Sequence, residues 1–532
     1  MLQRLYNNTL SLTRFILRRD RIRIPIWLIS LLLITIVVAI SFTDLYPTKE
    51  ERDFIAETMR NPAMIAMIGK GYGLNNYTHG AMMAHQMLLI TAVVVALMSI
   101  FFVARHTRAD EESGRIEMIR SLPVGRLSNI NSTIIVACCM NVLLALVIGM
   151  SLFALGIESM DLNGSLLYGA ALGGTGIFFS AVAGVFAQFS ESSRGTIGLS
   201  VIVLGVAYLI RAIGDVGNQT LSLFSPLGWI LSTEVYVNNY WWPISLTVGS
   251  TLFIIALAHF LNSKRDLETG FFPAKPGNKY ASSFLKSPLG LAIRLQRSGI
   301  IAWGIGIFVI GASYGSVIGD LESFFKSMDI MENLLIPGFT LTEQFLTMSM
   351  PIMAMLCTIP AIQAMLKLIG EERVNLTEHI LSRAVSRVRL MSGYVLISIT
   401  VSFLMLSLAA IGFWSVGIMV MDESISFFTF YNASLVYLPA TLFMVSIAVL
   451  IIGLAPKITN FIWLYVMFSF SIVFLKDLLQ LPDWLSKLSP YDYIPQLPIE
   501  DMDFGKLSIM FCVTIFITII GYIGYKTRDI YG

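Results

Sequence analysis

Residues 105–126 read RHTRADEESGRIEMIRSLPVGR, a charged stretch set between two apolar runs at 82–104 and 131–157. Each run is long enough to cross a bilayer as a helix, which takes roughly 20 residues, so the charged stretch is a short segment left in water between two spans. Backbone N–H and C=O groups find no partners in hydrocarbon, which selects helices over open strands for the runs. Working outward, further apolar runs lie at 24–43, 164–188, 195–214 and 241–262, then at 299–318, 346–369, 391–417, 430–455, 458–476 and 504–525. Over the 532 residues, 56% are apolar and 13% charged, and the mean hydropathy is +0.75. The bilayer is the main solvent of such a chain. The arginine-rich lead enters the first run without a small-residue cleavage site, so the first helix is expected to stay attached.

Placing the N-terminus in the cytoplasm assigns 27 of the 36 Lys and Arg residues to cytoplasmic segments. The positive-inside rule then puts both termini in the cytoplasm.

The stretch at 105–126 has a second copy. Glu117, Ile119, Ser121, Val124 and Arg126 follow the pattern E-x-I-x-S-x-x-V-x-R, and Glu378, Ile380, Ser382, Val385 and Arg387 repeat it. A Glu pair stands upstream of each, Glu111-Glu112 and Glu371-Glu372. Arg18, Arg21 and Trp27 precede the first run with the spacing of Arg294, Arg297 and Trp303 before the seventh. Ser225-Pro226 matches Ser489-Pro490, and Arg265-Asp266-Leu267 matches Arg528-Asp529-Ile530. In chain order the offsets between these copies are 276, 261, 264 and 263, so order and register both hold. Such self-similarity fixes architecture. Six spans per half, with both ends on one side, make the repeats parallel. The expectation is an all-α integral membrane protein with about twelve transmembrane helices in two parallel six-helix repeats, a pseudo-dimer with N- and C-termini cytoplasmic. The halves are 1–263 and 289–532, joined by a cytoplasmic linker at 264–288.

Residues 10–23 place Leu12, Phe15 and Ile16 on one helical face and Arg14, Arg18 and Arg21 on the other. That pattern suits an elbow helix lying in the membrane interface; the plainer alternative is a solvated basic flank. The second elbow, 289–297, is less cleanly amphipathic. Within 105–126, Ile116, Ile119 and Leu122 stand at helical spacing among charges, as in a short helix built to dock on another protein. A plain solvated loop would explain one such segment but not its repetition at 371–387. The expected docking residues are Glu111, Glu112, Arg115, Glu117, Ile119 and Arg126 in the first copy, and Glu371, Glu372, Glu378, Ile380 and Arg387 in the second.

The 105–126 string resembles the coupling segment of ABC exporter permeases of the type-2 class, in the fused-halves branch related to polyketide and tetronasin antibiotic resistance exporters. KRDLETGFFPAKPG at 264–277 is similar to the linker between halves in that branch, and the likeness covers essentially the whole chain. The resemblance implies a plasma-membrane permease that moves a hydrophobic or amphipathic compound out of the cell. Two copies of a separate cytoplasmic ATP-binding subunit would supply the energy and carry ATP and Mg. The second copy departs from the family pattern at Asn375-Leu376, where Gly-Arg is usual, and at Ala384, where Pro is usual. Because Pro123 and Gly125 give way to Ala384 and Ser386, a helix could run on there without a fixed stop, and the first segment is expected to dock more firmly.

No G-x-x-x-x-G-K-[ST] string occurs in the chain, so ATP hydrolysis by a phosphate loop must come from elsewhere. Gly311-Ala312-Ser313-Tyr314-Gly315 matches a nucleophile-elbow string but falls inside the seventh span, where small residues serve close helix packing. Gly169, Gly173, Gly315 and Gly319 read the same way. The five histidines lack metal spacing, and no catalytic residue, metal, cofactor on this chain or nucleic-acid partner is expected. Cys138, Cys139, Cys357 and Cys512 all fall in spans and read as buried apolar residues. Arg211 and Asp215, four apart, suggest a local ion pair near the outer end of the fifth span. The outer stretch 219–240 contains Ser225, Pro226, Gly228 and Trp229, and its counterpart contains Ser489 and Pro490. It is either a re-entrant outer gate, which the resemblance implies, or part of an aromatic belt with Tyr236, Tyr240, Trp241 and Trp242.

The rival reading is an ion- or proton-coupled secondary carrier, which also has twelve spans in parallel halves. That superfamily carries a Gly and a basic pair around an Asp between helices 2 and 3, unlike the paired Glu and PVGR ending here, and few membrane carboxylates are available to bind protons.

Overall fold

The computed structural model describes residues 5–60, 62–266, 269–271, 279–326, 339–420, 426–475 and 483–529. Leu267, Ile530, the 272–278 stretch of the linker and the last residue of the 458–476 run lie outside the described residues. Eleven of the described helices are long and apolar enough to cross a membrane, and the chain is an all-α integral membrane protein. The chain divides into two compact units, Met1–Pro276 and Gly277–Gly532.

The first unit contains α1 (Thr9–Arg19), α2 (Arg23–Leu45), α3 (His79–Ala104), α4 (Arg115–Arg120), α5 (Ser128–Ala154), α6 (Leu162–Phe189), α7 (Ser193–Val216), α8 (Pro226–Leu231) and α9 (Trp242–Lys264). In the second unit the same order recurs as α10 (Pro288–Lys326), α11 (Leu341–Glu372), α12 (Leu376–Leu381), α13 (Arg387–Val420), α14 (Leu438–Leu454), α15 (Phe461–Leu475) and α16 (Phe504–Thr527). Of the eleventh expected span, 15 residues are described, as α15.

Glycines let the spans approach closely. In the first unit α6 packs against α3, α5 and α9. A methyl group at Gly173 would come within 2.7 Å of the Asn141 carbonyl oxygen, and Gly169 has less room still against Ala145. In the second unit α10 packs along α13, and Gly315 abuts the backbone of Phe413 in the same way. The Gly311-to-Gly315 string is thus interior helix, as the packing reading expected. The side chain of Gly319's position lies outside the described residues.

Three expectations are corrected. Leu12 and Ile16 are buried on α1, which packs on α5, but Phe15 is 51% exposed. It sits one position before Ile16, about 100° round the helix, on the side of the arginines. Residues 289–297 are not a separate elbow, because they form the first turns of the continuous 39-residue α10. In the first unit the chain leaves the helical path after Arg19, and the Asp20 carboxylate is held by Arg105 and His106 at 2.9 and 2.6 Å. Gln296, at the matching offset, has no such anchor, and the helix runs through. Of the cysteines only Cys357 is buried; Cys139 and Cys512 are exposed on the protein surface. Neighbouring positions on a helix point about 100° apart, so Cys138 and Cys139 cannot both face the core.

Valine in place of Gly173 is expected to force α5 and α6 apart, with a destabilisation of about 1–3 kcal/mol. Gly198→Val meets open space and is expected to leave the unfolding midpoint in detergent nearly unchanged. Equal midpoints for the two variants would contradict this account of the α5–α6 contact.

Candidate functional site

The charged stretch at 105–126 folds into three pieces. Past α3 the chain winds as a π-helix over Arg105–Ala109, continues as helix over Asp110–Glu112, and breaks at Gly114 before α4. Gly114 has φ 71° and Asn375, its counterpart before α12, has φ 60°. Glycine reaches this left-handed region freely and asparagine is among the few side chains that tolerate it, so the Asn375 departure preserves the turn. The helices that follow have six residues each, and both end in the same tight turn, Val124 N–H to Leu122 O and Val385 N–H to Arg383 O at 2.7 Å. The expected run-on of the second helix through Ala384 and Ser386 does not occur. The Ser386 hydroxyl accepts the Arg389 N–H at 3.2 Å, a serine cap that begins α13 and enforces the stop.

Charged residues hold these segments in place. Glu111 accepts Arg265 Nη2 at 3.0 Å and Arg108 Nη1 at 2.9 Å. Arg108 also donates to the carbonyls of Ala187 and Thr269. In the second unit Glu372 accepts Arg528 Nη2 at 2.5 Å and the Tyr525 hydroxyl at 2.7 Å. Arg126 donates to the Arg265 carbonyl and Arg387 to the Arg528 carbonyl, each at 2.6 Å. The tie from helix 2 to the end of helix 6 is therefore built twice, and it equates Glu111 with Glu372. The pairing of Glu111-Glu112 with Glu371-Glu372 is out by one residue: the matching offset is the 261 of the motif itself, which sets Glu112 against Arg373.

Those two residues do the same job with opposite charge. Glu112 accepts the Ser193 N–H and hydroxyl at 3.0 and 2.7 Å, at the start of α7. Arg373 donates to the Thr459 hydroxyl at 3.3 Å, just before α15. Glu371 pairs with Lys367 at 2.5 Å.

Sequence reasoning missed the residues that fasten the elbow. Arg19 makes a two-pronged contact with Asp110 at 2.5 and 2.9 Å, and Arg115 adds a bond of 2.9 Å to the same carboxylate. The hydrogen bond to Asp110 raises the pKa of Arg19; burial, then the nearby Arg126, lowers that of Arg120. The available signal was the density of charge at 105–112, two arginines followed by a block of three acids. What stays outward is small. Glu117, Met118 and Leu122 are exposed, as are Glu378, His379 and Arg383, whereas Ile119 and Ile380 are half-buried and Ile116 is buried. Neither Glu117 nor Glu378 has a side-chain partner among the described residues.

At the far ends of the units the Ser-Pro stretches are tucked inward. Ser225 and Gly228 are buried, and α8 packs on α3, α6, α7 and α9. The Ser225 hydroxyl donates to the Ala207 carbonyl at 2.6 Å, and Trp229 lies 6.0 Å from Phe178, edge to face. Ser489 and Pro490 are buried as well, and Tyr491 bonds Thr358 at 2.5 Å. Tyr240, Trp241 and Trp242 stay exposed, so the stretch contains both a packed inner part and an aromatic rim. Arg211 does meet Asp215, at 3.4 Å, but it also donates to the carbonyls of Ile65, Ala66 and Met67. It closes the end of the helix Pro62–Ile68. No cluster of potential metal ligands exists among the described residues.

A family model described as multidrug efflux system permease Rv1217c, C-terminal domain, matches residues 11–260 and 285–526. The multidrug efflux system permease protein Rv1217c of Mycobacterium tuberculosis (strain ATCC 25618 / H37Rv) is 32% identical over 536 residues, covering 99% of this chain and 96% of that protein.

Glu111→Gln leaves Arg108 and Arg265, 1% and 7% exposed, without their countercharge. Breaking a buried pair in this way costs about 3–5 kcal/mol, and a large fall in thermal stability is expected. Glu117→Gln, on the surface, is expected to stay within about 0.5 kcal/mol of the parent. A Glu111 variant as stable as the Glu117 variant would remove the tie from the account.

Proposed function

Because this chain belongs to the family of multidrug efflux system permeases, we propose that it is the membrane subunit of an ATP-driven exporter, carrying hydrophobic or amphipathic, drug-like compounds out of the cell. The observation that carries the ATP-driven reading is the duplicated coupling surface. Two short helices of equal length, each braced by a buried carboxylate–arginine tie, present a few exposed side chains outside the spans. A brace of that kind has a purpose if force is to pass from a docked protein into the spans, since a loosely held segment would yield instead.

On this reading each coupling segment receives one copy of a cytoplasmic ATP-binding subunit, ATP and Mg are bound there, and this chain hydrolyses nothing. Glu112 to Ser193 and Arg373 to Thr459 then lead from the docking surface to the fifth span of each unit. Both termini lie in the cytoplasm, in keeping with the distribution of basic residues. The buried Ser225-Pro226 and Ser489-Pro490 stretches form the outer gate, and the chain falls in the branch of polyketide and tetronasin resistance exporters. The secondary-carrier reading offers no reason for duplicated, braced helices outside the membrane.

Transport of a drug into inside-out vesicles is expected to require the partner subunit and ATP. Uptake driven by a proton gradient alone, with no nucleotide, would refute the proposal. The purified complex is expected to have the mass of one permease and two ATP-binding subunits, and a one-to-one complex would refute the paired docking.

Replacing both Met118 and Leu122 by Glu places charge on the exposed first segment without touching the tie. Interface anchors of this kind are worth about 2 kcal/mol or more each, so partner affinity is expected to fall more than tenfold at unchanged thermal stability. Unchanged co-purification would place the docking surface elsewhere.

A further inference from the structure

The two units close the gap between the elbow and the coupling helix differently. In the first, Asn7 and Asn8 donate to the Pro123 carbonyl at 3.1 and 2.8 Å, and Gly125 N–H meets the Asn7 carbonyl at 3.0 Å. Arg19 and Asp110 add their two-pronged contact. In the second, no hydrogen bond joins residues 282–297 to 376–387 among the described residues. A crevice of about 430 Å³ opens there between α12 and the beginning of α10.

Its lining differs in charge from the first unit. At the offset of the coupling motif Met118 and Leu122 become His379 and Arg383, and at the offset of the elbow Leu10 becomes Lys286. Lys286, His379 and Arg383 all line the crevice, and none of the three side chains has a hydrogen-bond or ion-pair partner among the described residues. Leu291, Leu295 and Tyr394 form apolar wall. Glu371 also reaches the crevice, but Lys367 neutralises it at 2.5 Å.

We infer that this crevice binds the headgroup of an anionic phospholipid from the leaflet on the coupling side. Basic groups between membrane helices at the interface attract anionic headgroups. The phosphate suits the Lys286 ammonium and the Arg383 guanidinium, with the His379 imidazole as a further hydrogen-bonding group, and the glycerol and first methylenes suit the leucine wall. A free inorganic anion would leave that wall wet, and a neutral lipid would not answer the charge. The inference needs only that the chain is a membrane protein, so it stands or falls independently of the ATP-driven reading.

The test uses the full chain in neutral detergent, equilibrated with equal amounts of phosphatidylglycerol and phosphatidylcholine and read by native mass spectrometry. One phosphatidylglycerol is expected to be retained in preference to phosphatidylcholine by about tenfold or more. The preference is expected to disappear in Lys286→Gln/Arg383→Gln and to survive in Lys286→Arg/Arg383→Lys, which keeps the charges. It is expected to survive also in Arg14→Gln/Arg18→Gln, the same charge change on the exposed face of α1. Unfolding midpoints in phosphatidylcholine alone check that each variant is folded. No preference in the parent, an unchanged preference in the Gln pair, or an equal loss in the α1 pair would overturn the inference. Displacement of the lipid by millimolar inorganic phosphate would overturn it too, as it would mark a simple anion site.

Discussion

A carboxylate buried at the end of a membrane helix must find a cation, because desolvation without a partner costs more than the helix can return. Glu111 finds Arg265 and Glu372 finds Arg528. Each pair closes its unit at the end where α3 or α11 gives way to the short helix α4 or α12, and where α9 or α16 ends. Arg126 and Arg387 then bind the carbonyl of the same arginine that holds the carboxylate. The short helix is thus located by contacts on both sides, and six residues are enough to present a surface. A helix that short has little stability of its own, so its geometry is borrowed from the tie.

The spans were legible because the hydrocarbon constraint writes itself as long apolar runs, and for most of them the limits shift by only a few residues in the structure; the run at 299–318 is the exception, lying inside the much longer α10. The run at 24–43 is α2, Arg23–Leu45, and that at 164–188 is α6, Leu162–Phe189. The repeat was legible too, yet its register slipped by one at the Glu pairs. Two adjacent acids look alike in a string, and only the arginine reached by each tells them apart. Partners such as Arg19 and Asp110 are 91 positions apart, and no local periodicity records such a meeting. Phe15 and the exposed cysteines show the same limit from the other side. In a membrane protein an apolar residue on the surface meets lipid rather than water, so hydrophobicity alone does not separate core from periphery.

Departures from pattern also proved less informative than the physics behind them. Asn375 replaces a glycine and keeps the left-handed turn; Ala384 and Ser386 replace Pro and Gly and keep the stop. Arg373 replaces an acid and keeps the link to the fifth span through Thr459. In each case the geometry is maintained by a different chemical route, which a motif comparison scores as loss.

The residues that recur between the copies therefore deserve a different reading from the one their recurrence first suggests. Of the repeated set, Arg126 and Arg387 bind backbone carbonyls, Ile119 and Ile380 are half-buried, and the upstream acids are engaged, Glu111, Glu371 and Glu372 in ion pairs and Glu112 on Ser193. Among the described residues, Glu117 and Glu378 recur and face outward with no side-chain partner. Ser121 and Ser382 also recur on the surface, each bonded to its own backbone, while Met118 and Leu122 stand against His379 and Arg383. Recurrence marks what both units need in order to hold a helix in place, and divergence marks what each helix meets. The brace beneath the two helices is the same in kind, so their surfaces can share a few positions and differ around them.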